Sequence, residues 1–208
     1  EGPVAEGNVG GGTGMVCYEF KGGIGTASRV VDVLGASYTV GVLVQANYGL
    51  RDQLRIAGVP VGTHLREHRI YSEPDPEAAG TGSIIVVIAT DAPLLPHQLK
   101  RVTRRAALGL GRNGSIASNG SGDIFIAFST ANGSLDVVDR LLDHRSVPND
   151  EISPVFGATV EAVEEAVINA MVGARDMTGD QGHYAKALPH DALMEVMKQY
   201  GRAEEFER

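Results

Sequence analysis

The run Ser83–Thr90, SIIVVIAT, constrains this chain more than any other stretch. It is almost wholly β-branched, and such side chains lose freedom in a helix but sit well on a pleated surface. Its apolar residues are consecutive rather than alternate, so it predicts a buried strand. A second run, YTVGVLVQ at Tyr38–Gln45, has the same character and predicts a strand buried on both faces. The first run is unusual in its entry. It starts directly after Gly82, behind the small-residue segment AAGTG (Ala78–Gly82). Gly82-Ser83 can be an ordinary turn into the strand. Alternatively, Ser83 becomes a new N-terminus and carries chemistry.

The rest of the chain separates into runs of strand and helix. MVCYEF (Met15–Phe20) and DIFIAFST (Asp123–Thr130) read as strands, and KGGIGTASR (Lys21–Arg29) as a Gly-rich connection. Pro96–Leu110 switches to helical spacing, with Leu99, Val102, Ala106, Ala107 and Leu110 on one face. Lys100, Arg101, Arg104 and Arg105 fall on the other, as a solvated helix face. Ser153-Pro154 offers an N-cap and first-turn pair for a helix striped by Val160, Val163, Val167 and Met171. A short last helix follows Pro189, with Gly201 placed to end it. The polar stretch Arg66–Gly82, with Pro74 and Pro76, is expected to be exposed and mobile. This segregation suggests one domain of sheet-on-sheet layers covered by helices, and 208 residues suffice for a substantial core.

Several functions are disfavoured. A net charge of −8 argues against nucleic acid as a partner, because phosphate contacts need a basic surface. The single cysteine, Cys17, rules out an intrachain disulfide and a cysteine-based metal cage. No apolar run is long enough for a membrane span. His64 and His68 would share a helix face, but no histidine lies in a convincing metal-ligand spacing, so no metal site is expected. GNVGGGTG (Gly7–Gly14) resembles a phosphate cradle, yet lacks the Lys-Ser/Thr ending and opens a strand rather than a helix. With 27 glycines in the chain, it reads better as a loop of unusual backbone angles. The opening Glu1 suggests a fragment or a processed piece, in which case any targeting segment would lie upstream. A cytoplasmic protein is expected, with the periplasm the alternative.

The chemical possibility at Ser83 has a physical basis. An N-terminal serine is a self-contained catalytic pair, because its own α-amine can act as base for its hydroxyl. The amine's reference pKa is about 8, low enough to be partly neutral near physiological pH. Cleavage before such a residue is helped by a small neighbour, and Gly82 meets that need.

Five segments also resemble one family. They are EGNVGGGTGM (Glu6–Met15), GGIGTASR (Gly22–Arg29), VLVQANYG (Val42–Gly49), GSIIVVIATDAPLLPHQL (Gly82–Leu99) and SNGSGDIFIAFSTAN (Ser118–Asn132). In this order they resemble the self-processing D-/L-aminopeptidase-esterase family, which includes the β-peptidyl aminopeptidases. The resemblance implies an α+β fold, a four-layer αββα sandwich similar to N-terminal-nucleophile hydrolases but differently connected. It implies self-cleavage at Gly82-Ser83, with residues 1–82 the tail of a larger subunit and 83–208 the smaller one. Ser83 would be the nucleophile and Asn47 the oxyanion donor, although Asn47 also suits a turn before Gly49. Ser121 and Asp123 would neighbour the nucleophile. The family commonly has Glu at the latter position, one methylene longer, and Asp123 also suits a strand start. A catalytic tyrosine and an amine-binding acid belong to the family's upstream part and match no position here.

The expected activity is therefore a serine aminopeptidase that releases N-terminal amino acids from small peptides, amides or esters, in a homo-oligomer and without a cofactor. Two alternatives stand beside it. One is acyl transfer on the related fold of ornithine acetyltransferases, which use threonine. The other is an uncleaved binding protein in which Gly82-Ser83 is only a turn.

Overall fold

A computed structural model describes residues 2–67, 69–70, 82–132, 139 and 141–203. Its frame is a four-stranded sheet in the order β3 (Gly23–Val33), β4 (Ala36–Asn47), β5 (Ser83–Thr90) and β6 (Ile124–Ser129). The first two junctions are antiparallel and β5–β6 is parallel. Two helices, α2 (Pro96–Arg112) and α3 (Ser153–Val172), cover one face. A four-residue helix α1 (Val61–His64) and the terminal α4 (His190–Gln199) lie together at one end. Small hairpins complete the chain: β1 (Val16–Cys17) with β2 (Phe20–Lys21), and β7 (Met177–Thr178) with β8 (Tyr184–Ala185).

The pleat sorts side chains by alternation. Val40, Val42, Val44 and Ala46 of β4 pair with Thr90, Ile88, Val86 and Ile84 of β5, and all eight are buried. Against them pack Val102, Ala106 and Leu110 of α2 and Val155, Val163, Val167 and Met171 of α3. A fully buried aliphatic side chain of this size contributes about 1.5–3 kcal/mol, so this face anchors the fold. The opposite face carries Ile85, Ile124, Ile126 and Phe128, all 38–52% exposed. β4 is thus buried on one face only, where burial on both was expected. Its Gly41, Leu43 and Gln45 alternate toward the open side.

Three other expectations are corrected. Met15–Phe20 is not one strand, because Tyr18 and Glu19 take left-handed conformations (φ 50° and 60°) and fold β1 back onto β2. Tertiary bonds hold that turn: Tyr18 N–H donates to the Tyr48 carbonyl (2.8 Å), and the Glu19 carboxylate accepts from Arg51 N–H (2.8 Å). The segment Lys21–Arg29 is no connection, since Gly23–Arg29 belongs to β3. Its glycine at 25 marks a helix crossing rather than a turn: a Cβ there would lie 1.9 Å from the Ala166 carbonyl oxygen of α3. Ser153 is already the first helical residue, after Ile152, and its side chain makes no capping bond.

The expected helices are present, and the basic side of α2 is partly engaged. The Arg105 guanidinium lies 3.8 Å from the Phe156 ring centre, and Arg112 pairs with Glu164 at 2.7 Å. Ala107, expected on the apolar face, is exposed. Pro74, Pro76, most of the polar stretch and His68 lie outside the described residues. Among the described residues no helix is long and apolar enough to cross a membrane.

Candidate active site

The site forms where β4 ends and β5 begins. Their antiparallel register sets Asn47 directly opposite Ser83, on the face of the sheet turned away from the helices. This register requires Gly82. A Cβ there would lie 2.4 Å from the Asn47 carbonyl oxygen and 2.8 Å from the Tyr48 Cα, so only glycine lets the two chains approach this closely. The linker residues Ala78–Thr81 lie outside the described residues.

The loop entering β6 supplies the rest. Because β6 runs parallel beside β5, residues Ser121–Asp123 arrive next to the start of β5. Gly122 N–H donates to Ser83 Oγ at 2.9 Å. The Asp123 carboxylate accepts from Ile84 N–H (3.0 Å) and from the Ser121 hydroxyl (2.6 Å) through the same oxygen. Adjacent backbone nitrogens in a strand are less than a Cα–Cα spacing of about 3.8 Å apart, so this oxygen lies within roughly 7 Å of the Ser83 nitrogen. The shorter Asp side chain therefore reaches the start of β5.

Asn47 is oriented by its surroundings. Its Oδ1 accepts from Val16 N–H at 2.9 Å. A backbone N–H can only donate, so the oxygen must face it and the NH₂ group points the other way. That geometry supports the donor reading over the simple turn reading, because Asn47 is the last residue of a strand.

Beneath the site, Tyr18 and Tyr48 are buried with ring centres 5.1 Å apart. Burial, more than any neighbouring charge, pushes both hydroxyls above the ordinary tyrosine value. Both stay protonated at physiological pH, so neither can serve as a tyrosinate base. Buried Cys17 is likewise pushed up by burial and is no thiolate nucleophile. Arg51, also buried, gathers the surrounding loops by donating to the carbonyls of Tyr18 (2.9 Å), Glu19 (2.6 Å) and Leu65 (2.6 Å). Burial lowers its pKa to about 10. A cavity of about 380 Å³ adjoins Ser121 and Asp123, lined also by Leu110, Ile116 and Phe125.

Ser83, Asn47, Ser121 and Asp123 thus converge on one end of the sheet. Not foreseen were the Gly122 and Val16 backbone donors, which no side-chain pattern could have revealed. His64 lies elsewhere, its Nε2 2.9 Å from the Tyr200 hydroxyl. No group of three potential metal-ligating His, Cys, Asp or Glu side chains occurs among the described residues.

The match to a solved structure places this helix-backed sheet, with a serine at a strand start and an asparagine across the ladder, in a variant of the Ntn-hydrolase fold. That is the description given to the L-aminopeptidase D-Ala-esterase/amidase of Ochrobactrum anthropi, which this chain matches with a TM-score of 0.87 at 54% identity, over 97% of this chain and 54% of that one. The model of peptidase family S58 matches residues 1–185, and the chain belongs to that family. A Burkholderia β-aminopeptidase superposes with a TM-score of 0.85 at 47% identity, over 98% of this chain and 56% of that one. A β-peptidyl aminopeptidase, BapA of Sphingosinicella microcystinivorans, is 52% identical over 97% of this chain and 53% of its own length. The chain spans about half the length of the curated relatives it matches.

Proposed function

We propose that this chain is the catalytic part of a self-processing serine aminopeptidase with Ser83 as its N-terminal nucleophile. The observation that carries the reading is the gathering of polar groups around Ser83. A backbone N–H contacts it, a carboxylate binds the next amide, and an oriented asparagine amide stands across the ladder.

The first step is cleavage of the chain. Ser83 Oγ attacks the Gly82 carbonyl carbon, the C–N bond breaks as the ester forms, and water hydrolyses that ester. Gly82 is left with a carboxylate and Ser83 with a free α-amine. Residues 1–82 then belong to one subunit and 83–208 to the other. In turnover, the neutral α-amine takes the Ser83 proton while Oγ attacks the carbonyl of the substrate's N-terminal residue. The Asn47 amide donates to the oxyanion, a contribution typically worth roughly 3–4 kcal/mol in the transition state. The ammonium returns its proton to the leaving amine, and water then releases the amino acid from the acyl-enzyme. Small peptides, amino-acid amides and esters all fit this path. Their chemistry agrees with the names of the β-peptidyl aminopeptidase and esterase/amidase relatives.

The test is expression of the complete gene, followed by N-terminal sequencing and intact mass. Wild type should give a fragment beginning at Ser83, and Ser83→Ala a single uncut chain. Cleavage of the Ser83→Ala protein at the same bond would assign processing to another protease and overturn the mechanism.

A further inference from the structure

Lys21 is 98% buried, its relative exposure being 2%, and no carboxylate pairs with it among the described residues. A buried ammonium without a counter-ion is costly, and such residues persist when the charge is fully solvated by protein dipoles. Here backbone carbonyls supply the solvation. Lys21 Nζ donates to Met15 O at short range, to Gly22 O at 3.3 Å and to Gly12 O at 3.4 Å. Burial lowers the lysine pKa, while the carbonyls around Nζ offer the ammonium its hydrogen-bond acceptors. The mechanism above does not use it.

One of these carbonyls belongs to the peptide that orients Asn47. Met15 C=O and Val16 N–H are the two ends of a single peptide unit. The carbonyl accepts from Lys21 Nζ and from Gly22 N–H (3.0 Å), while the N–H donates to Asn47 Oδ1 at 2.9 Å. Donation to a peptide oxygen draws electron density from its nitrogen and strengthens that N–H as a donor. The same bonds fix the orientation of the peptide plane, and with it the rotation of the Asn47 amide.

We propose that Lys21 is a positioning residue for catalysis, acting on the oxyanion donor through the Met15–Val16 peptide. The proposal rests on the reading of Asn47 as that donor. The ammonium bonds to the carbonyls of Gly12, Met15 and Gly22 and makes no hydrogen bond to Ser83. It holds the Asn47 NH₂ group where the oxyanion forms, so its effect falls on turnover rather than on binding.

The experiment is a double-mutant cycle in the full-length protein, combining Lys21→Met with Asn47→Ala, with kcat and KM measured on an amino-acid amide. Lys21→Met should lower kcat about tenfold, less than the roughly 10²–10³-fold expected for losing the donor itself, with KM little changed. In the Asn47→Ala background it should lower kcat no further, because the two residues act as one unit. If both losses are large but multiply, Lys21 has only a general structural role and the proposal is overturned. An Asn47→Ala variant of normal kcat would instead overturn the reading of Asn47, a distinct result. Should Lys21→Met not fold, Lys21→Gln, which keeps a neutral donor one atom shorter, takes its place in the same cycle. Should a variant not process, the rate of cleavage at Gly82-Ser83 in the purified precursor is read through the same cycle.

Discussion

Ser83 and Asn47 face each other across a ladder, and the side chain of each accepts a hydrogen bond from a backbone N–H. This makes their roles separable by substitution. Asn47→Ala should leave the fold intact and lower kcat by roughly 10²–10³-fold, with a smaller change in KM, measured on protein whose intact mass shows cleavage. A change of only a few-fold would reduce Asn47 to a strand-end residue. Asp123 predicts a shift in pH dependence. Its carboxylate is bound to Ile84 N–H, and in the cleaved enzyme proposed above a negative charge there would favour the ammonium form of the Ser83 amine. In the proposed mechanism the neutral amine is the active form, so activity should rise as pH climbs through the amine's pKa. Asp123→Asn removes the negative charge, lowers the amine pKa and moves the rising limb of kcat/KM to lower pH. Running an amino-acid amide beside an ester that lacks the amine separates this limb from titration of the substrate. An unmoved limb with both substrates would show that Asp123 does not act on the Ser83 amine.

At the level of elements, α3 lies close enough to β3 to exclude a side chain at the crossing. The Ala166 carbonyl of the helix faces Gly25 of the strand with no room for a methyl group, and the Asn169 amide donates to Thr26 O at 2.8 Å beside it. Gly25→Ala must push the helix away, and overpacking of this kind typically costs about 1–3 kcal/mol. The midpoint of urea unfolding should fall accordingly. An unchanged midpoint would mean that α3 does not rest on β3 in solution. The same contact explains why GGIGTASR looks like a connection when read as residues. Glycine weakens a strand by propensity, but here its missing side chain is what lets a helix cross.

For the whole molecule, the dominant feature is a sheet with one covered face and one apolar face in the open. Ile124, Ile126 and Phe128 of β6 and Ile85 of β5 lie there side by side. In a four-layer sandwich this is the face that a second sheet would cover, and the described residues provide one helix layer and one main sheet. Residues 1–208 expressed alone should therefore bind a hydrophobic dye strongly, and Phe128→Lys should weaken that binding. In the complete gene product the dye signal should be low, and Phe128→Lys should reduce stability instead. Weak dye binding by residues 1–208 would show that this face is closed in some other way.

Much of the architecture was legible in the residues. The strands at β4, β5 and β6 and the three longer helices follow from local chemistry: β-branched runs, helical spacing of apolar residues, and the Pro and Gly that bound them. The set Ser83, Asn47, Ser121 and Asp123 was legible only through the resemblance to a family, because by local chemistry Gly82-Ser83, Asn47 and Asp123 suit turns and strand ends equally well. The tertiary structure alone decided which backbone groups complete the site. Val16 N–H reaches Asn47 across 31 residues, and Gly122 N–H reaches Ser83 across 39. Every non-proline residue carries the same N–H, so composition and periodicity cannot single one out. Strand register and a glycine that admits a close approach do so only once the chain is folded. Lys21 stayed hidden for the same reason. Its charge looks like any surface lysine's until the fold buries it among carbonyls, one of which belongs to the peptide that holds Asn47.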